Sequence, residues 1–180
     1  MEKTDILKRI TNKKGDITRE STDAIVNAAN TSLLGGGGVD GAIHKAAGPE
    51  LFHECKTLGG CNPGEVRITK GYNLKAGYII HTPGPIYKDG KRGEAQVLKN
   101  SYWNSMNLLK EYNLKSASFP AISTGVYNYP KEEAAEIAIK TVIEFMDKEG
   151  YIADIIFVLF VDDNYNIYNK TLGRIKNELY

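Results

Sequence analysis

Residues 24–41 read Ala-Ile-Val-Asn-Ala-Ala-Asn-Thr-Ser-Leu-Leu-Gly-Gly-Gly-Gly-Val-Asp-Gly, and their order decides the fold class. Residues 24–27 are apolar up to the closing Asn27, the pattern of a short strand covered on both faces. From Val39 to about Cys55 small and apolar residues recur at helical spacing, and Gly48-Pro49 divides that stretch into two helical pieces. Between strand and helix lies the glycine run 35–38. It lets the backbone turn sharply and bring N–H groups against a ligand with no Cβ in the way, which suits phosphate. A later segment, Ser118-Phe-Pro-Ala-Ile-Ser-Thr-Gly-Val-Tyr-Asn-Tyr-Pro130, repeats the logic: a short apolar strand, small hydroxyl residues and a glycine, then an aromatic before a helix. Two such loops can hold one anionic ligand between them.

The rest of the chain alternates strand and helix. Residues 5–10 mix apolar and polar positions like an edge strand, and Gly15-Asp16 marks a turn before Ile17. Residues 64–69 and 78–82 read as strands, the second ended by Pro83-Gly84-Pro85. Residues 93–112 place Ala95, Leu98, Tyr102, Met106 and Leu109 on one helical face. Residues 118–122 read as a short strand. Pro130 starts the clearest helix, with Ala134, Ile137, Ala138, Val142 and Phe145 in one stripe. Residues 155–161 read as a fully apolar strand and 163–178 as a final helix. Strands separated by helices imply βαβ crossovers and a sheet covered on both faces. The expected fold is α/β: a three-layer α/β/α sandwich on a mixed, mostly parallel sheet, one domain over residues 1–180. Ligands of such sheets bind at the carboxyl ends of the strands, where both loops fall.

With 23 Lys+Arg against 22 Asp+Glu, no global charge bias points to duplex nucleic acid or an anionic membrane surface. Anion specificity is therefore local. The polar N-terminus lacks the apolar core of a signal peptide, and the apolar run 155–161 is far too short to span a bilayer. A cytoplasmic protein without a membrane partner is expected. Cys55 and Cys61, near His53, lack the paired spacing and ligand number of a zinc site; reduced thiols and no metal are expected.

Several decoys fail on context. Residues 36–41 satisfy GxGxxG, yet the run lies about nine residues beyond the strand instead of directly after it, and no strand-end acid follows at the expected distance. The signatures GxxxxGK[ST], Gly-x-Ser-x-Gly and His-Glu-x-x-His are missing.

Individual residues carry plain and functional readings side by side. Asn27 and Asn30 can cap a turn, but a strand end orients Asn27 inward, and the Asn30 amide offers donor and acceptor to a ribose diol. Asp40 can serve as an N-terminal helix acid, or orient a sugar hydroxyl or water at the mouth of a cleft. His44 lies four residues on, where it either tunes Asp40 or packs, packing being favoured. His81, inside an apolar strand, reads as a satisfied core histidine, and Trp103 as core. Tyr127 is either core or a turn aromatic placed to stack on a ribose.

These residues resemble the macrodomain family of ADP-ribose-binding modules, and within it the MacroD-type hydrolases and O-acetyl-ADP-ribose deacetylases. The first family signature stands intact: Asn30 followed after six residues by Gly37-Gly38-Val39-Asp40. The second appears as Gly125-Val126-Tyr127-Asn128, with Asn128 where the family has glycine. The likeness runs from Gly15-Asp16-Ile17-Thr18 through the last predicted helix. It implies an ADP-ribosyl ester hydrolase needing no cofactor, which removes mono-ADP-ribose from acidic protein side chains and deacetylates O-acetyl-ADP-ribose. Its implied partners are ADP-ribose, ADP-ribosylated proteins and O-acetyl-ADP-ribose.

By the same resemblance Asp16 and the Ile17 N–H contact adenine, and residues near Asn164 and Tyr165 border that pocket. Gly36, Gly37, Gly38 and Val39 face Ser123, Thr124, Gly125 and Val126 across the diphosphate, with Tyr127 and Asn128 completing the second loop and Asn27 at the end of the first strand. Asn30 and Asp40 hold the distal ribose and carry the chemistry. Asparagine tolerates a left-handed backbone, so the second loop is expected to keep its shape. A non-catalytic reader remains an alternative. An RNA- or poly(ADP-ribose)-binding module wants a basic, aromatic groove, which the balanced charge does not supply.

Overall fold

The computed structural model describes residues 2–179. Its elements are α1 (Lys3–Leu7), β1 (Ile10–Lys14), a 3-10 turn (Ile17–Arg19), β2 (Ala24–Ala28), α2 (Gly38–Ala47), α3 (Pro49–Thr57), β3 (Arg67–Lys70), β4 (Tyr78–Thr82), α4 (Glu94–Glu111), β5 (Ser116–Phe119), α5 (Lys131–Glu149), β6 (Asp154–Leu159) and α6 (Asp162–Glu178). The strands form one six-stranded sheet in the order β1-β6-β5-β2-β4-β3. All neighbours pair in parallel except β3, which runs antiparallel to β4. The mixed, mostly parallel sheet expected from sequence is the one observed.

Side-chain alternation divides the core into two layers. Val26, Ile80, Phe119 and Phe157 point to the face covered by α4, α5 and α6, where Tyr102, Val142 and Tyr168 are buried. Ile25, Ile79 and Val158 point the other way, against Ile43 and Ala47 of α2 and Leu51 and Cys55 of α3. Burying side chains of this size contributes about 1.5–3 kcal/mol each. That is why the inner strands read as continuous apolar runs. Asn27 and His81 are neighbours on the α2 side of the sheet and are fully buried, an expense in free energy unless both are hydrogen-bonded.

Some local expectations are corrected. Residues 5–10 are not an edge strand. Ile6, Leu7 and Ile10 are buried together, at the three- and four-residue spacing of a helical turn, and the strand begins only at Ile10. Residues 64–66 lie outside β3 because Gly64 sits at φ 83° next to an Asn62–Glu65 turn. β5 ends at Phe119, since Pro120 has no N–H to continue a ladder. Ala95 is exposed while the neighbouring Glu94 is buried. Among the described residues no helix is long and apolar enough to cross a membrane.

Candidate functional site

The parallel strands deliver their following loops to one edge of the sheet. Gly15 N–H bonds the Leu159 carbonyl at 3.0 Å and Ala29 N–H bonds Thr82 at 3.1 Å, so the ends of β1 and β6, and of β2 and β4, stay together as the chain leaves the sheet. The first loop is held by Leu33, fully buried at φ 64°, and by Asn30. The Asn30 Oδ1 accepts from Ser32 Oγ at 2.6 Å and Leu33 N–H at 3.0 Å, while its Nδ2 donates to the Gly35 carbonyl at 2.6 Å. Asn30 thus braces its own turn. A Cβ on Gly36 would sit 3.1 Å from Asp40 Oδ2 and 3.2 Å from Asn30 Nδ2, so amide and carboxylate flank one patch of bare backbone.

Helix α2 has no side-chain cap, and its first intrahelical bond runs from Gly41 N–H to the Gly37 carbonyl. The N–H groups of Gly38, Val39 and Asp40 therefore remain open at the positive end of the helix. A Cβ on Gly37, Gly38 or Gly125 would meet no protein atom within 4 Å. This is open ground in front of both loops.

In the second loop Ser123 is buried at φ 66° and its carbonyl takes the Tyr129 N–H at 2.9 Å. Asn128 adopts φ 60° and donates its N–H to the Gly125 carbonyl at 3.0 Å. The left-handed conformation expected of this asparagine is present. Gly125 is exposed and Val126 is 95% exposed, so the tip of the loop stands free. Its base is tied down: Thr124 Oγ1 donates to Ala121 at 3.0 Å, and Tyr87 N–H donates to the Tyr127 carbonyl at 2.9 Å. Tyr87 in turn leads into a loop organised by Glu94, whose carboxylate accepts N–H bonds from Lys88, Asp89, Gly90 and Arg92 at 2.7–3.2 Å. These backbone bonds, that of Lys88 foremost, hold the Glu94 carboxyl down to about 2. Gly84 lies so close to Ser123 that any side chain at 84 would strike its hydroxyl.

Asp40 is 5% exposed, and its Oδ1 accepts a 2.8 Å bond from Asn27 Nδ2. His44 Nε2 stands 3.5 Å from the same oxygen, yet finds no hydrogen-bond partner in the protein. Burial raises the Asp40 carboxyl above its ordinary range, opposed by the Asn27 bond and then by His44. Asn27 also faces His81 Nδ1 at 3.1 Å, and His81 Nε2 meets Thr69 Oγ1 at 2.9 Å. The core-histidine reading of His81 holds. Asn27 does point inward, but its donor serves Asp40 and His81, and the residue is fully buried.

Asp16 lies at the end of β1 and caps the following turn, with Oδ1 accepting from Thr18 N–H at 2.9 Å and Thr18 Oγ1 at 2.7 Å. The Ile17 side chain belongs to the α2-side core. Beside them Phe160 is 78% exposed one residue beyond β6. Sequence reading missed this residue because its apolar neighbours placed it inside a buried strand. Gly41, Gly84 and Thr69 were also missed; a glycine inside a helical pattern was the one available signal. Asn164 is buried and donates to Thr124 Oγ1 at 3.4 Å, joining α6 to the second loop. Cys55 and Cys61 are separate buried thiols, Cys55 pushed up to about 11 by burial first and Glu54 second. Among the described residues no group of His, Cys, Asp and Glu is disposed to hold a metal.

Comparison with known proteins gives this arrangement a context. Residues 26–138 match the profile of the family described as Macro domain. A macro domain-containing protein of Chlorobaculum tepidum is 55% identical, over 89% of this chain and 93% of its own. An O-acetyl-ADP-ribose deacetylase of Escherichia fergusonii is 49% identical, over 92% of this chain and 96% of its own. The crystal structure of a Trypanosoma brucei macrodomain in complex with ADP-ribose superposes with a TM-score of 0.88 at 44% identity, covering 93% of this chain and 71% of that one.

Proposed function

Because the chain belongs to the macro domain family, we propose that it binds ADP-ribose and hydrolyses its acyl esters, both O-acetyl-ADP-ribose and the ester link to aspartate or glutamate side chains of proteins. The observation that carries this reading is the buried Asp40 carboxylate set against the bare Gly36 backbone, beside an uncapped helix N-terminus. The diphosphate lies between the two loops, taking N–H bonds from residues 36–38 on one side and 123–126 on the other. Charge at the end of α2 and the missing Cβ atoms favour an anion there. Asp16 accepts the exocyclic amino group of adenine, and Phe160 offers its uncovered ring to the purine face.

At the other end Asn30 and Asp40 hold the distal ribose. Asp40 draws a proton from water as the water attacks the ester carbonyl. The carbonyl–oxygen bond to ribose breaks and the proton held by Asp40 passes to the ribose oxygen, releasing the carboxylic acid and ADP-ribose and restoring the Asp40 carboxylate. A carboxylate whose pKa burial raises is a better base, when ionised, than an ordinary aspartate. No metal enters the scheme. The protein is proposed to work as one cytoplasmic domain. A second reading, a reader that binds without cleaving, draws support from the Asn30 amide, which bonds its own loop at both ends. Release of free ADP-ribose from glutamate-modified protein separates the two. Turnover supports the hydrolase, and binding without turnover leaves the reader.

A further inference from the structure

We infer that His81, with Thr69 behind it, is a positioning residue for Asp40: the buried chain Thr69–His81–Asn27 dictates which end of the Asn27 amide meets the carboxylate. The inference rests on the reading of Asp40 as the reacting carboxylate.

The argument is one of hydrogen-bond polarity. An amide nitrogen carries two hydrogens and accepts nothing. Asn27 Nδ2 lies 2.8 Å from Asp40 Oδ1 and 3.1 Å from His81 Nδ1, so His81 Nδ1 must be bare and accept. The imidazole proton then sits on Nε2 and is donated to Thr69 Oγ1 at 2.9 Å, whose own hydrogen goes to the Lys70 carbonyl at 3.1 Å. Each group has one permitted role. Asn27 Oδ1 is buried without a hydrogen-bond partner, so the amide is oriented by its donor end alone. Were it turned over, its oxygen would face the carboxylate, lone pair against charge. With Asp40 Oδ1 and His81 Nδ1 both accepting, the observed orientation is the satisfied one, and His81 is the member of that pair whose role a shifted ring proton would reverse.

The surroundings keep that lock neutral. Burial first, and His44 second, push His81 down to about 3, so it carries no charge at ordinary pH. His44 reaches it from α2, with ring centroids 6.4 Å apart. Arg67, directly across from His81 on β3, turns its guanidinium to Glu65 and the Val66 carbonyl. Asp40 meets His44 from its own helix and the field of the Cys55 thiol on α3.

Thr69→Val keeps the shape and removes the acceptor. The proton of His81 then moves to Nδ1, the Asn27 amide turns, and Asp40 loses the bond that favours its ionised form. The acid limb of kcat/KM should move to higher pH by about one unit, which amounts to a loss of about tenfold at pH values well below both midpoints. The dissociation constant of ADP-ribose should stay within about twofold, since Thr69 is buried within β3 and belongs to neither loop. Thr69→Ser restores the acceptor and should restore the profile.

Carbon-13 titration of the Asp40 carboxyl and nitrogen-15 spectra of the imidazoles test the chain independently of hydrolysis; only three histidines are present. A wild-type His81 protonated on Nε2, with a higher Asp40 pKa in Thr69→Val, supports the inference even if the wild type proves inert; inertness would count against the hydrolase reading alone. An unchanged Asp40 titration in folded Thr69→Val, or equal loss in Thr69→Ser, overturns it.

Discussion

The carbonyl oxygen of Gly36 stands where a side chain at Gly41 would begin: a Cβ there would lie 2.4 Å from it, closer than such atoms can approach. One residue faces the proposed ligand and the other starts the second turn of α2, so the bare backbone beside Asp40 depends on a glycine that points into the protein. Gly41→Ala must push residue 36 outward. Overpacking of this kind costs about 1–3 kcal/mol, so thermal denaturation should show a lower Tm. ADP-ribose affinity by calorimetry should fall by about tenfold or more. Wild-type affinity in the variant would show that the Gly36 position is not critical to binding.

Ligand preference follows from the length of the cleft. ADP-ribose engages Asp16, both loops and the Asp40 end together, whereas AMP and ribose-5-phosphate each satisfy part of it. Calorimetry should give ADP-ribose a dissociation constant at least about a hundredfold below that of either fragment, a difference of about 2.7 kcal/mol. Equal affinity for AMP would remove the two-loop diphosphate site.

Asp40→Ala separates chemistry from binding. Turnover should drop by about a hundredfold or more, the range of a general base, with ADP-ribose affinity changed far less. Parallel losses in both would make Asp40 a ground-state contact.

The pH dependence of stability has a definite sign. Burial raises the folded-state pKa of Asp40, so the unfolded chain ionises first as pH rises. Asp40 therefore lowers stability above its folded pKa and costs nothing below the ordinary aspartate value of about 3.9. Asp40→Asn, which can still accept the Asn27 bond, should raise Tm at pH 7. The gain should vanish near pH 3, and a variant less stable than wild type at pH 7 would contradict this account.

Asn128→Gly keeps the left-handed backbone, which glycine adopts freely, while emptying the space of the amide. Fold and ADP-ribose affinity should be retained. Turnover, or the ratio of activities on acetylated and protein-linked substrates, should change more than affinity does. Unaltered kinetics on both would mean the side chain points away from the cleft.

Much of this architecture was legible because the signals were local and repeated. The apolar stretch at residues 24–27, the glycine run and the Ala134–Phe145 stripe each carry one reading, and together they gave the parallel sheet and the edge where the loops gather. What escaped depends on distant partners. Gly84 needs the Ser123 hydroxyl to show why it is glycine, and Thr69 needs His81 twelve residues on. Phe160 looked like core because strand alternation says nothing about where a strand stops. Residues 5–10 misled because so short a stretch fits both periods.

The sheet order also has a consequence for the protein's behaviour in a crowded solution. β1 and β3 are the outermost strands, each with one flank free to template another chain. Both carry cations: Lys13 and Lys14 on the first, Arg67 and Lys70 on the second. Lys13, Lys14 and Arg67 pair with Glu20, Asp162 and Glu65 within the chain, and charged side chains along an outer strand disfavour edge-to-edge addition. The same short, charged margins that made these strands hard to read in the sequence are poor templates for a further strand.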